Sequence, residues 1–314
     1  MSEEFLEESS KLDLYYAERK LASPIIHLIH DWQQAKEKGQ EKPESELKQE
    51  VLNLLDNGAD VNELELPLSV YNYGYTPILI ASEAGAVEVV QALIERGANV
   101  DAILTQSYNC TSLGLAIIYD ILELVKILVK NGATLRFRFS HGNNSPLHMA
   151  CRTNRPEIAE FFIRNNAELN SLQPVFYGNV QYGFSLTPLH MIICYNGTLK
   201  IVELLAQYGA DLEIQSAGGQ TALLLALFEN QFEMAKVLIE NGANVNFINF
   251  NADGQNPLHI AATKDYPGST KMLIDYGADI NTRNIQGDNA LQVSLHFQKH
   301  ENFKLIVLMN HQYI

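Results

Sequence analysis

At 314 residues the chain exceeds a single core of ordinary size, which leaves two domains or an array of repeats. With 46% hydrophobic and 19% charged residues it reads as folded, and no apolar run is long enough to cross a bilayer. A net charge of −15 repels phosphate backbones and anionic headgroups, which argues against nucleic acid and membrane as partners.

Residues 1–20 are acidic and lack the basic-then-apolar layout of a secretory leader. Their Phe5, Leu6, Leu14 and Tyr15 suggest a short helix covering the N-terminal end of the fold. Cys110, Cys151 and Cys194 form no CxxC, and so sparse a set fits a reducing, cytoplasmic setting.

From residue 21 to 314 one pattern recurs. A small polar residue, a Pro or small residue and an aliphatic residue open it at Ser23, Thr76, Thr111, Ser145, Thr187, Thr221, Asn256 and Asn289. From Thr76 onward the intervals are 35, 34, 42, 34, 35 and 33 residues. Gly-Ala closes the pattern at Gly58, Gly97, Gly132, Gly209, Gly242 and Gly277, and Asn166-Ala167 fills the remaining slot. Two markers sharing one period predict about eight helix–turn–helix units. The Ser, Thr or Asn can cap the first helix, Pro suits its first turn, and Gly suits the left-handed residue after the second helix. Apolar residues at helical spacing, such as Val89, Val90 and Leu93, or Ile201, Val202, Leu204 and Leu205, mark the second helix.

Three departures stand out. The first unit carries an insertion near 33–45, expected as a solvated, mobile loop. The connection at 171–185 accounts for the 42-residue interval, and 63–74 and 102–109 are also long. The last unit, with Gln298, Lys299, His300 and Glu301 between its helices, reads as a cap.

These units resemble ankyrin repeats. Asn256-Pro257-Leu258-His259-Ile260-Ala261-Ala262 and Gly277-Ala278-Asp279-Ile280-Asn281 match that family's opening and closing motifs, as do Gly58-Ala59-Asp60-Val61-Asn62 and Gly242-Ala243-Asn244-Val245-Asn246. The resemblance covers roughly residues 21–310. It implies an all-α solenoid of helix-turn-helix units joined by β-hairpin-like loops, and a scaffold or adaptor that binds a protein in a concave groove. It also implies that His27, His148, His190 and His259 tie loops to neighbouring repeats. The alternative is a regulatory subunit or inhibitor that occludes a partner enzyme. Abundant Asn, Ile, Tyr and Glu also resemble ankyrin proteins that intracellular bacteria deliver into host cytosol.

Catalytic, cofactor and metal motifs are not found: there is no GxSxG elbow, phosphate loop, HExxH helix or dinucleotide fingerprint. His190 and Cys194 lie four apart but lack further ligands. The expectation is a non-enzyme, monomeric in isolation. Carrying the family's groove positions onto this chain places Tyr73, Tyr75, Tyr108, Tyr119, Arg152, Tyr195, Phe228 and Phe297 there. The 171–185 connection adds Phe176, Tyr177, Tyr182 and Phe184. Rings where a solvated surface is expected point to partner binding.

Overall fold

The computed structural model describes residues 23–312 apart from 41, 65–73, 105–109, 136, 140–141, 178–179 and 265. Side chains at 137–144, 175–184 and 311–312 also lie outside the description. The expected segment at 1–20 falls outside the described residues. The remainder is all-α, with strands confined to hairpins.

Two compact parts divide the chain, Met1–Thr134 and Leu135–Ile314. The first holds α1 (Pro24–Glu37), α2 (Glu44–Asp56), α3 (Pro77–Ala84), α4 (Val87–Glu95), α5 (Ser112–Ile118) and α6 (Leu122–Lys130). Strands β1 (Ile103–Leu104) and β2 (Cys110–Thr111) pair antiparallel, Ile103 opposite Thr111. First helices stack on one another, α1 on α3 and α3 on α5, and second helices do likewise, α2 on α4 and α4 on α6.

The second part repeats the scheme with α7 (Pro146–Arg152), α8 (Pro156–Arg164), α9 (Pro188–Cys194), α10 (Leu199–Gln207), α11 (Ala222–Phe228) and α12 (Phe232–Glu240). It continues with α13 (Pro257–Lys264), α14 (Pro267–Asp275), α15 (Ala290–His296) and α16 (His300–Gln312). Each odd-numbered helix packs on the next odd one and each even-numbered helix on the next even one. Strands β3 (Phe137–Phe139) and β4 (Gly142–Asn144) form one antiparallel hairpin. The 171–185 connection is a second hairpin, β5 (Gln173–Tyr177) with β6 (Val180–Leu186), with a register shift between Pro174 and Phe176.

Local chemistry explains the boundaries. Side chains of Thr111, Ser145, Thr187, Thr221 and Asn289 accept backbone N–H bonds in the first turns they precede. Asn256 does the same for His259 N–H at 2.9 Å. Ser23 and Thr76 do not; their hydroxyls are buried without a partner among the described residues. Every closing Gly-Ala glycine sits at positive φ, for example Gly242 at 94°, and Asn166 substitutes at 59°. A second left-handed position lies between paired helices, filled by Gly85, Asp120, Asn154, Asn196, Asn230 and Gln298, and no sequence marker singles it out.

The expected insertion at 33–45 is corrected. Helix α1 runs on to Glu37 and α2 begins at Glu44, so only 38–43 connect them. Trp32 Nε1 donates to Lys42 O at 2.8 Å, tying that connection to α1. The second helices bury stripes such as Val89, Val90 and Leu93, or Ile201, Val202 and Leu205. Leu204 is only half-buried, so Leu205 carries the core at that turn.

Three buried histidines hold loops to first helices. His148 Nε2–H donates to Ser171 O (3.0 Å) and Leu186 O (3.2 Å), His190 Nε2–H to Gln220 O (2.9 Å), and His259 Nε2–H to Asp288 O (3.0 Å). Their Nδ1 atoms accept from the Ser145 and Thr187 hydroxyls and from Asn256 N–H. Desolvation lowers all three pKa values, His148 to about 4, which keeps the rings neutral.

Candidate functional site

In the N-terminal part a carboxylate organises the rings. Glu83, near the end of α3, accepts from Tyr75 Oη at 2.5 Å and from Tyr119 Oη at 3.2 Å. Desolvation raises the Glu83 pKa, and the two hydroxyl bonds oppose the rise. Tyr75, expected to face a partner, is instead 5% exposed: its ring is core and its hydroxyl holds Glu83. Tyr119, at the C-terminus of α5, stays exposed while reaching back to the preceding repeat.

The C-terminal part pairs rings with cations at the ends of its first helices. Arg152 ends α7 and its guanidinium lies 5.7 Å from the Tyr195 ring, which caps α9. Phe228 ends α11, and Lys264 Nζ, from the end of α13, sits 4.0 Å from its centroid. Such contacts stabilise by roughly 0.5–1 kcal/mol where exposed. Phe297, capping α15, is 56% exposed. Tyr119, Tyr195, Phe228 and Phe297 therefore all stand where a first helix ends, with Tyr119, Tyr195 and Phe228 each engaging an adjacent repeat.

Other expected residues fall elsewhere. Tyr73 and Tyr108 lie outside the described residues. Phe176 and Tyr177 belong to β5 and Tyr182 and Phe184 to β6; Phe176 pairs with Gln181 and Tyr177 with Val180. Sequence reasoning missed Phe250, 80% exposed, and Ile285, 67% exposed, in the connections before α13 and α15. A signal exists for Ile285, which stands among turn formers, Asn284 before it and Gly287 after.

Burial, then the Glu83 charge, pushes the Cys110 thiol up to about 12, and burial raises Cys151 further. Partial burial and the Glu229 carboxylate raise Cys194 to about 11. None of these thiols is a ready nucleophile at neutral pH. Among the described residues no group of three His, Cys, Asp or Glu could hold a metal, and no helix is long and apolar enough to cross a membrane.

Comparison with known proteins agrees with this architecture. A family described as ankyrin repeats (3 copies) matches residues 45–138, 104–173, 147–249 and 190–284. The putative ankyrin repeat protein FPV031 of Fowlpox virus (strain NVSL) is 25% identical over 174 residues, 54% of this chain and 48% of that protein. The B-cell lymphoma 3 protein homolog of Mus musculus is 28% identical over 177 residues, 55% of this chain and 38% of that protein. The crystal structure of the ankyrin repeat domain of Bcl-3, described as a unique member of the IkappaB protein family, superposes with a TM-score of 0.64 at 25% identity. That superposition covers 75% of this chain and all of that domain. The chain spans less than half the length of these curated relatives. Ankyrin repeats are general protein–protein interaction modules, and this chain, on a family match across most of its length, belongs to the ankyrin-repeat family.

Proposed function

We propose that the chain is a non-catalytic scaffold or adaptor that grips a protein segment along the ends of its first helices. The observation that carries this reading is that Tyr195, Phe228 and Phe297 are all exposed where first helices of the C-terminal part stop, as Tyr119 is in the N-terminal part. Rings at such positions offer large, rigid contact area at low entropic cost, and Arg152 and Lys264 add polar anchors beside two of them. Hairpin residues Phe176, Tyr177, Tyr182 and Phe184 extend the proposed contact in the C-terminal part, and Tyr73 and Tyr108 complete the set.

The test is affinity purification from candidate cells, comparing the chain with a Tyr195→Ala, Phe228→Ala double variant. The reading expects the specific partner to be lost while the melting temperature changes by no more than about 4 °C. Equal recovery by both chains would defeat it. Assaying the partner's activity with and without the chain separates adaptor from inhibitor. Action in the cytosol, a host's if the chain is a bacterial effector, is part of this reading.

A further inference from the structure

The ends of the first helices in the C-terminal part carry a charge opposite to the rest of that part. From the last residue of each first helix to the residue before its second helix run 152–155, 194–198, 228–231, 264–266 and 296–299. These stretches hold Arg152, Arg155, Lys264 and Lys299 against Glu229 and Asp265, of which Asp265 lies outside the described residues. The remainder of 135–314 holds eight Lys and Arg against thirteen Asp and Glu. On the second helices the lysines are neutralised locally: Lys200 pairs with Glu157, Lys236 with Glu240, Lys271 with Asp275 and Lys304 with Glu301. Lys264 and Lys299 make no ion pair among the described residues. The Lys264 ammonium rests on the Phe228 ring instead, 4.0 Å from its centroid.

We infer that this row of helix ends takes an extended acidic segment of the partner, an inference that rests on the scaffold reading above and narrows it. Helices α7, α9, α11, α13 and α15 pack one on the next, which spaces their ends by roughly 8–10 Å. That interval is about three residues of extended chain, so a segment of about thirteen residues spans all five ends. Carboxylates facing Lys299 and Lys264 then lie about three residues apart, and one facing Arg152 about nine residues further on. Apolar side chains between the last two meet Phe228 and Tyr195, both exposed. Charge complementarity selects this occupant. A carboxylate reaching Lys264 or Lys299 finds an ammonium with no carboxylate of its own and can form a charge-assisted hydrogen bond. A nucleic acid fits worse: its phosphates repeat at every step, so they would crowd Glu229 and meet the repulsion of a chain with net charge −15.

The test selects peptides of about thirteen residues from a random display library on the immobilised 314-residue chain. The inference expects enrichment of Asp and Glu about three residues apart. A Lys264→Glu, Lys299→Glu variant should bind the selected peptides at least about tenfold more weakly. Should that variant fail to fold, Glu229→Gln carries the test and should tighten the same peptides about threefold. Selected peptides without an acidic bias overturn the inference; if the Tyr195→Ala, Phe228→Ala variant loses them, the scaffold reading survives it. Acidic peptides that the charge variants bind unchanged also overturn it, as does their displacement by an oligouridine. If no peptide is selected the inference falls, and partner capture by the ring variant judges the scaffold reading separately.

Discussion

Polar side chains at single positions decide how tightly neighbouring repeats are joined. Glu83 sits in a desolvated niche, and Tyr75 donates the shorter of its two hydroxyl bonds. Tyr75→Phe is therefore expected to cost roughly 1–3 kcal/mol in urea unfolding, the penalty of leaving a shielded carboxylate short of a donor. An unchanged midpoint would remove Glu83 from the account. The buried histidines set an acid limit. Their folded pKa values lie below the ordinary 6.5, so their contribution is fully present above that pH and is lost as pH falls below it, for His148 as pH falls toward about 4. For His148 alone the loss is roughly 3 kcal/mol. The urea midpoint should be lower at pH 5 than at pH 7, and His148→Gln should flatten that slope. A midpoint independent of pH across that window would contradict the neutral-histidine assignment.

At the scale of helices and turns, most of the architecture is legible in the chain. The opening markers identify eight helix pairs because most of them, like the closing markers, meet a stereochemical demand: a cap at one end, made by all but Ser23 and Thr76, and a left-handed residue at the other. The turn between paired helices is not legible, since six positions meet it with Gly, Asp, Asn and Gln rather than one residue type. The first connection misleads for another reason. Its charged composition reads as loop, but α1 extends to Glu37 with Trp32 buried beneath it. Gln298 holds φ 56°, a strained value for its side chain, so Gln298→Gly should raise stability by about 1 kcal/mol. In α10, Leu205→Ala should cost roughly 2–5 kcal/mol and Leu204→Ala distinctly less, as thermal or urea unfolding will read. Equal losses would mean that the buried face of α10 is misassigned.

Across the whole molecule, charge and exposed rings are distributed differently. Residues 23–134 carry sixteen Asp and Glu against seven Lys and Arg, whereas 135–314 carry fifteen against twelve. The acidic excess therefore sits mainly in the N-terminal part, while most of the exposed rings at first-helix ends belong to the C-terminal part. The candidate site is only partly legible in the chain. Sequence registers locate a position in a repeat, but whether a ring there is core or surface depends on what the adjacent repeat presents. Tyr75 is buried with its hydroxyl on Glu83, while Tyr195 stays exposed over Arg152. Hydrogen–deuterium exchange of the C-terminal part, free and with its purified partner, tests the central claim most directly. The account predicts new protection at the turns around Tyr195, Phe228 and Phe297, where the first helices end. Protection confined to the second helices α8, α10 and α12, with those turns exchanging as before, would contradict it.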